Sequence, residues 1–407
     1  MPEIIATKKD ANLHLNMKFH LLVLGLLFSR IGTNIYTMAL PWVAYNLSGS
    51  SMIMGTVFAV EMLPFVLLLP FGGVLIDRLD RRKLMITADI IRIIFVLSIP
   101  VMYWMDVLVT PMIFIVAFLA STLSFFIDVP LQAIIPQLVP KEILTKANVR
   151  IQLIENLSRT VGPLLGGALI GLVGVYTSLL INSIAYLMMV ICLFFIDQIP
   201  LSNERQNAEK IWDDIKKGFL YVWKRWDLRI IACISILSNF GISLVMSTLV
   251  YYLRDSLHVK AAYTGVVFAS IGIFGMLGSL VVEPLMNKIK RGYIISFLPV
   301  LGGGVGALLV AVFPHWISTA IGFGLWGGSI TTLSVILNTY KQESIENNLY
   351  GRVEGSLTSI SYVSIPLAGF IGGLSIQGLG SLPTYLVAGC SVMLAGLLAF
   401  FSPLRKI

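Results

Sequence analysis

The chain has 407 residues, 57% of them hydrophobic and 12% charged, with a formal net charge of +8 and a mean hydropathy of +0.88. Soluble domains carry about a quarter charged residues, so this composition excludes a disordered chain and an ordinary soluble enzyme, and describes an all-α polytopic membrane protein. The basic residues lie between apolar segments rather than on one stripe, as in an orientation signal and not a nucleic-acid surface.

A spanning helix needs about 20 apolar residues. Twelve stretches of that length occur, near residues 18–45, 52–76, 84–105, 109–134, 151–173, 176–197, 228–253, 263–286, 293–313, 316–337, 355–377 and 382–402. They are long and continuous rather than short and alternating, which selects helices over a β-barrel. The polar start through Lys8, Lys9 and Asp10 leads into a run too long for a leader core, so no cleavable leader is expected. Positive residues gather in the even-numbered gaps: Arg78, Arg81, Arg82 and Lys83; Lys141, Lys146 and Arg150; Lys288, Lys290 and Arg291; Lys341 and Arg352. The odd-numbered gaps are nearly uncharged, apart from Arg254, Asp255, His258 and Lys260 after the seventh span. Both termini are therefore expected on the cytoplasmic side of a cell membrane.

The longest polar stretch, 198–227, carries a one-sided apolar row, Ile211, Ile215, Phe219 and Val222. This predicts an amphipathic helix on the cytoplasmic membrane surface. It divides the chain into a tail (1–17), a six-helix bundle (18–197), a linker (198–227), a second six-helix bundle (228–402) and a short tail (403–407). The two halves are related by sequence. A shift of 210 carries Gly55-Thr-Val-Phe-Ala59 onto Gly265-Val-Val-Phe-Ala269, Asp77-Arg78 onto Asn287-Lys288, and Arg81 onto Arg291. A shift of 206 carries Gly166-Gly167 onto Gly372-Gly373. Twelve transmembrane helices in two pseudo-symmetric bundles follow.

The loop after the second span reads Gly73-Val-Leu-Ile-Asp77-Arg78-Leu-Asp80-Arg81-Arg82. It resembles the loop motif of the major facilitator superfamily, Gly-x-x-x-Asp-Arg/Lys-x-Gly-Arg-Arg/Lys, with Asp80 where the motif has glycine. A carboxylate at a helix end meets a neighbouring helix N-terminus and a guanidinium well, so this loop is expected to latch the halves on the cytoplasmic side. In the fifth span, Gly162-Pro163-Leu-Leu-Gly166-Gly167 resembles the fifth-helix motif of the antiporters of that superfamily. Its glycines allow close helix approach and Pro163 loosens the helix. Pro136-Gln137-Leu138-Val139-Pro140 through Ala147-Asn148, Gly351-Arg352-Val353, and Ala88-Asp89-Ile-Ile-Arg92 resemble its macrolide-efflux and siderophore-exporter branch. The resemblance covers essentially the whole chain.

Charge inside a bilayer is costly and marks a pathway or a partner. Arg30 lies 12 residues beyond Lys18, about 18 Å along a helix, and Glu61 lies 10 residues beyond Ser51, about 15 Å from the other side. Their similar depth predicts an Arg30–Glu61 pair in which Glu61 carries the proton; Asp128 on the fourth span is a second candidate. Glu155 with Arg159 and Asp89 with Arg92, each about one turn apart, read as structural pairs. Polar stripes at helical spacing, Arg30, Asn34 and Thr37 in the first span and Ser235, Asn239, Ser243 and Ser247 in the seventh, suggest a cavity wall. The family resemblance implies a central cavity lined by the first, fourth, seventh and tenth helices, with Tyr251, Tyr252 and Trp326 adding aromatic surface.

The three cysteines, Cys192, Cys233 and Cys390, fall in apolar segments and imply no disulfide framework. There is no phosphate-binding loop, no metal-ligand spacing and no nucleophile constellation. The expectation is a transporter and not an enzyme, with no metal or cofactor and a proton gradient as its energy source. Its partners are a small amphipathic substrate, protons and the lipid bilayer, with no nucleic acid, and it is expected to be a monomer. Proton-coupled export of macrolide-type drugs, secondary metabolites or siderophores is the leading reading. A nutrient facilitator or importer, or a lipid or lysolipid flippase, is the alternative. Asp77→Asn removes the latch charge without changing shape. It should leave membrane insertion intact and reduce transport roughly tenfold or more in everted vesicles, whereas normal transport would leave the loop as an orientation signal only.

Overall fold

The computed structural model describes residues 17–71, 80–140, 143–196 and 208–406. Among the described residues there is no β-strand. The N-terminal half comprises α1 (Met17–Ser48), α2 (Ser51–Leu68, extended by a 3-10 turn to Phe71), α3 (Arg81–Trp104), α4 (Thr110–Leu138), α5 (Leu144–Val173) and α6 (Val175–Phe194). The linker helix is α7, Ala208–Lys224. Helix α8 runs through Trp226–Met246 and Leu249–Tyr251 into a π-helical turn at Tyr252–Ser256. It is followed by α9 (Ala261–Lys288), α10 (Arg291–Leu298, a π-helical turn Pro299–Gly304, then Val305–Val312) and α11 (Trp316–Ser344). Helix α12 (Asn347–Tyr362, then Ser364–Leu379) and α13 (Ser381–Phe401) complete the chain.

Eleven of these helices are long and apolar enough to cross a membrane. The twelfth, α5, is 30 residues long and carries Lys146, Arg150, Glu155 and Arg159 between its first turn and its midpoint, which lowers its hydropathy. It packs against α1 and α9 and completes the two six-helix sets. Several helices extend beyond their apolar runs: α5 starts at Leu144 rather than near 151, α11 runs to Ser344 rather than near 337, and α12 starts at Asn347 rather than near 355. Apolar counting stops at the first charge, but a paired charge does not end a helix. Lys341, buried at the end of α11, places its Nζ 2.7 Å from both carboxylate oxygens of Glu354 on α12.

The internal repeat is realised in the packing. In the N-terminal half α1 packs on α5 and α6, α3 on α4 and α6, and α2 on α4. The equivalent helices repeat each contact: α8 packs on α12 and α13, α10 on α11 and α13, and α9 on α11. Even the hairpin turns correspond. Gly174 before α6 has φ +84° and Gly380 before α13 has φ +86°, a backbone that glycine adopts without the Cβ penalty. With an even number of spans, the start of α1 and the end of α13 lie at one face, called here the termini face; the other is the far face. Leucines and phenylalanines such as Leu280 (72% exposed) and Phe401 (81%) cover the outside, as expected of a lipid-facing belt.

Helix α7 docks on the C-terminal bundle. Gly218 lies against the Arg352 backbone and the Ser356 side chain of α12, and Val222 is buried in the core of the C-terminal half. Trp212 meets Phe71 at the end of α2 with ring centroids 5.5 Å apart, while Phe219 and Trp223 remain exposed. The small Gly218 lets the helix dock on the bundle, so only part of its apolar surface is left for lipid. Ser202 lies outside the described residues, so a topology test uses α7 itself. In a background lacking Cys192, Cys233 and Cys390, cysteines placed at Ser50 and at Lys216 should react with an impermeant maleimide from opposite sides. Labelling of both from one side would overturn the topology.

Candidate functional site

The halves meet along two seams, α5 against α9 and α2 against α12, which the repeat maps onto each other. At the first, a Cβ on Gly167 would lie 2.9 Å from the Cα of Gly265, and one on Gly265 would lie 2.5 Å from the Pro163 carbonyl oxygen. At the second, a Cβ on Gly55 would lie 2.8 Å from the Cα of Gly373. No side chain fits in either place. The same fifth-helix motif also seats α5 on α1: Gly162 faces the Cβ of Asn34, and a Cβ on Gly166 would stand 3.4 Å from the Cα of Ile35. Without a hydrophobic drive between helices in lipid, small residues that permit backbone contact supply the packing energy.

At the far face the halves are also joined by side chains. The Tyr45 hydroxyl donates to Asp255 Oδ1 at 2.8 Å, and Ser51 Oγ donates to the Gly373 carbonyl at 3.1 Å. The Arg254 guanidinium donates to the Asn46 side chain and stands 4.8 Å and 4.5 Å from the ring centroids of Trp42 and Tyr45. The apolar cluster around Tyr36, Leu40 and Val43 takes in Val250 and Ala261 from the other half.

Between the halves lies a cavity of about 700 Å³, lined from α1 by Asn34, from α5 by Gln152, Asn156, Arg159 and Pro163, from α9 by Phe268, Ile271, Met276 and Ser279, and from α11 by Thr331, Ser334 and Asn338. It occupies the middle and the termini-side half of these helices. Gln152, Arg159, Ser279, Ser334 and Asn338 are exposed within it, so it is accessible to water. The expected wall from the first, fourth, seventh and tenth spans is thus replaced by the first, fifth, eighth and tenth. The fifth and eighth enter because the seam glycines bring α5 and α9 to the centre. Among the cavity candidates, Asn34 lines it, its Nδ2 donating to the Arg30 carbonyl at 2.8 Å. Thr37 bonds back to the Thr33 carbonyl.

The seventh-span stripe divides instead of lining this cavity. Ser235 and Asn239 line a separate pocket of about 180 Å³ between α8, α11 and α12. Ser243 is buried, and Ser247 bonds to the Leu244 carbonyl and packs on Gly372. Tyr251 belongs to the far-face contact, edge-on to Tyr45 with centroids 5.8 Å apart. Trp326 is 1% exposed and stacks on Phe323 in the core of the C-terminal half. Sequence reasoning missed Arg159, Thr331, Ser334 and Asn338. The i, i+4, i+7 recurrence of Gln152, Asn156 and Arg159 is the signal that marks that wall.

The charges pair differently from the depth-based expectation. Arg30 Nη1 lies 2.7 Å from Asp128 Oδ1 on α4, and its Nε lies 2.7 Å from Glu155 Oε1 on α5. These side chains are 20%, 29% and 23% exposed; they do not line the cavity themselves, but Arg30 lies one turn from the lining residue Asn34 and Glu155 is next in sequence to the lining residue Asn156. Glu61 is buried, with its backbone carbonyl accepting from Ser121 Oγ. Among the described residues no cation pairs with its carboxylate. Ser121 and Asp128 lie on one face of α4 seven residues apart, so Glu61 sits roughly 10 Å from the level of Arg30. Counting from helix ends ignored the offset between neighbouring helices. Asp89 and Arg92 do pair, at 2.5 Å. Arg92 also donates to Ser124 Oγ and Ser29 Oγ and lies 3.6 Å from the Tyr186 ring centroid. Glu155 and Arg159 do not pair, because Arg30 takes the carboxylate.

Of the loop motif, Gly73, Asp77 and Arg78 lie outside the described residues. Asp80, where the motif has glycine, is the N-cap of α3, its side chain accepting from the Lys83 N–H at 3.1 Å. Arg81 opens α3. Arg82 donates to the Leu193 and Phe194 carbonyls at 2.8 Å and 2.9 Å, capping the end of α6 within its own half.

Two pseudo-symmetric six-helix bundles, joined at one face around a water-accessible central cavity, form the architecture of a membrane transporter. The chain belongs to the Major Facilitator Superfamily, whose family model matches residues 22–369. Over 392 residues it is 23% identical to the multidrug efflux pump Tap of Mycolicibacterium fortuitum, covering 94% of this chain and 95% of that protein. Over 388 residues it is 24% identical to macrolide efflux protein A of Streptococcus pyogenes, covering 93% and 94%. Its fold is similar to that of a bacterial homologue of the iron transporter ferroportin in an inward-facing state (TM-score 0.75, 15% identity, 94% and 98% covered). It is also similar to the nucleoside transporter NupG (TM-score 0.73, 13% identity, 95% and 100% covered).

The far-face contact has a measurable strength. Removing the Arg254 guanidinium forfeits two ring contacts and a hydrogen bond, about 1–2 kcal/mol. Arg254→Ala should therefore raise maleimide labelling of a cysteine at Thr37 from the far face by roughly 5- to 30-fold. Unchanged labelling would show that the glycine seams, the Tyr45–Asp255 and Ser51–Gly373 hydrogen bonds and the apolar cluster hold this face closed without Arg254.

Proposed function

We propose that this transporter is a proton-coupled exporter of amphipathic small molecules, working by alternating access in a cell membrane. The observation that carries the reading is the sharing of one guanidinium, Arg30, by two partly exposed carboxylates, Asp128 and Glu155, adjacent to the cavity-lining residues Asn34 and Asn156. With both carboxylates ionised the triad holds one excess negative charge, which a single proton cancels. A proton on either acid releases part of Arg30. That changes the contacts among α1, α4 and α5, the last of which forms a seam with the other half. In this reading the proton is carried by Asp128, the second candidate from the sequence, together with Glu155, instead of by Glu61.

Export is supported by the printed names of the relatives, a multidrug efflux pump and a macrolide efflux protein, and by the fifth-helix motif at the seam. The termini face, rich in Lys and Arg, is the cytoplasmic side in this reading. The molecule then loads from the cytoplasm, closes its inner side while Arg254 and its partners part, and releases outward. One chain holds the complete cavity, so a monomer suffices, and the proton gradient replaces any cofactor.

Everted vesicles carrying an imposed pH gradient and a panel of cationic, anionic and zwitterionic fluorescent probes test the coupling. At least one probe should accumulate uphill, and Asp128→Asn or Glu155→Gln should reduce that accumulation roughly tenfold or more. Glu61→Gln should reduce it less than roughly twofold. Uphill accumulation that survives in the double variant Asp128→Asn/Glu155→Gln would refute the assignment.

A further inference from the structure

The cavity wall carries one charged side chain among the described residues that line it, Arg159. Its natural intrahelical partner, Glu155, four residues earlier on α5, is held by Arg30 instead. Among the described residues no carboxylate pairs with Arg159, and it is exposed in the cavity. One turn away, the Arg30–Asp128–Glu155 triad has the opposite imbalance, two carboxylates for one guanidinium. The neighbouring Asp89–Arg92 pair is internally neutral and enclosed, so it cancels neither. An unmatched positive charge in the cavity wall, on Arg159, therefore stands about one turn of α5, roughly 6 Å along its axis, from Glu155, through which that helix joins the negatively charged triad behind the lining residue Asn156. On α9, which packs directly against α5, Phe268, Ile271 and Met276 add apolar surface to the cavity wall.

We propose that the cavity accepts amphipathic zwitterions: an anionic group docks on Arg159, a cationic group faces Asp128 and Glu155, and the apolar body lies on α9. An anion alone would meet the guanidinium but leave the triad's excess charge unmet. A cation alone would do the reverse. Guanidinium pairs with carboxylate or phosphate in a forked geometry, so the anionic group is of that kind. The ligand's cationic group meets the same two carboxylates as the coupling proton of the proposed function, so ligand and proton exclude each other. This inference rests on the reading of the cavity as the transport site.

Three probes on one fluorophore separate the possibilities: ε-dansyl-lysine (zwitterion), dansylcadaverine (cation) and N-dansyl-6-aminohexanoate (anion). Binding is measured on the full chain in nanodiscs, with empty nanodiscs subtracted. The zwitterion should bind roughly tenfold tighter than either relative. Arg159→Gln should bring it down to the level of dansylcadaverine while leaving dansylcadaverine unweakened, and Arg159→Lys should restore part of the difference. Equal binding of cation and zwitterion, or an Arg159→Gln variant with unaltered zwitterion affinity, overturns the zwitterion proposal alone. If no probe binds, or if the cavity-filling Ser334→Trp variant binds all three as before, the cavity itself is not the site and the reading beneath the proposal falls with it.

Discussion

Two backbone contacts, Gly167 against Gly265 and Gly55 against Gly373, set the distance between the halves, and most of the remaining architecture depends on that distance. A single Cβ at either place would push α5 from α9 or α2 from α12. These two contacts are made by backbone alone, with no side chains interlocking at them. Bringing α5 and α9 to the midline also decides which residues face the cavity. Asn156, Arg159 and Ile271 become wall residues because of the glycines that flank them in sequence.

The second constraint is electrostatic. A bilayer interior tolerates a charge only where a partner or water meets it, and this chain uses both solutions. Asp89 and Arg92 are enclosed by Ser29, Ser124 and Tyr186 and balance each other. Their ligands Ser29 and Ser124 lie next to Arg30 and one turn from Asp128, so the neutral pair braces the helices that carry the triad. The unbalanced charges, in the triad and at Arg159, stand where water reaches them. Imbalance at a cavity and balance in the core is the distribution expected if the cavity charges serve a ligand or a proton.

Much of the helical order was legible in the chain. Twelve apolar runs, the repeat at shifts of 210 and 206, and the glycines of the fifth span all have structural counterparts, the last two in the same seams. Less legible were helix ends that carry paired charges, as at Lys341 and Glu354, because hydropathy registers a charge and not its partner. The departure from the loop motif at Asp80 proved to be a helix cap, a role that the residue type itself announces.

By itself the sequence determined what is local or periodic: span number, the division into two halves, and which residues are small enough for backbone contact. These follow from the thickness of a bilayer and the periodicity of a helix. Only the tertiary structure decided which charge meets which. Arg30 and Glu61 count to the same depth from their own helix ends, yet Glu61 sits level with Ser121 and Arg30 with Asp128. The axial offset between packed helices is set by side-chain interdigitation across every neighbour at once, and no single helix encodes it. For the same reason Ser243, Ser247 and Trp326 are core while Arg159 and Ser334 line the cavity: a polar stripe fixes a face, and packing alone determines what that face meets.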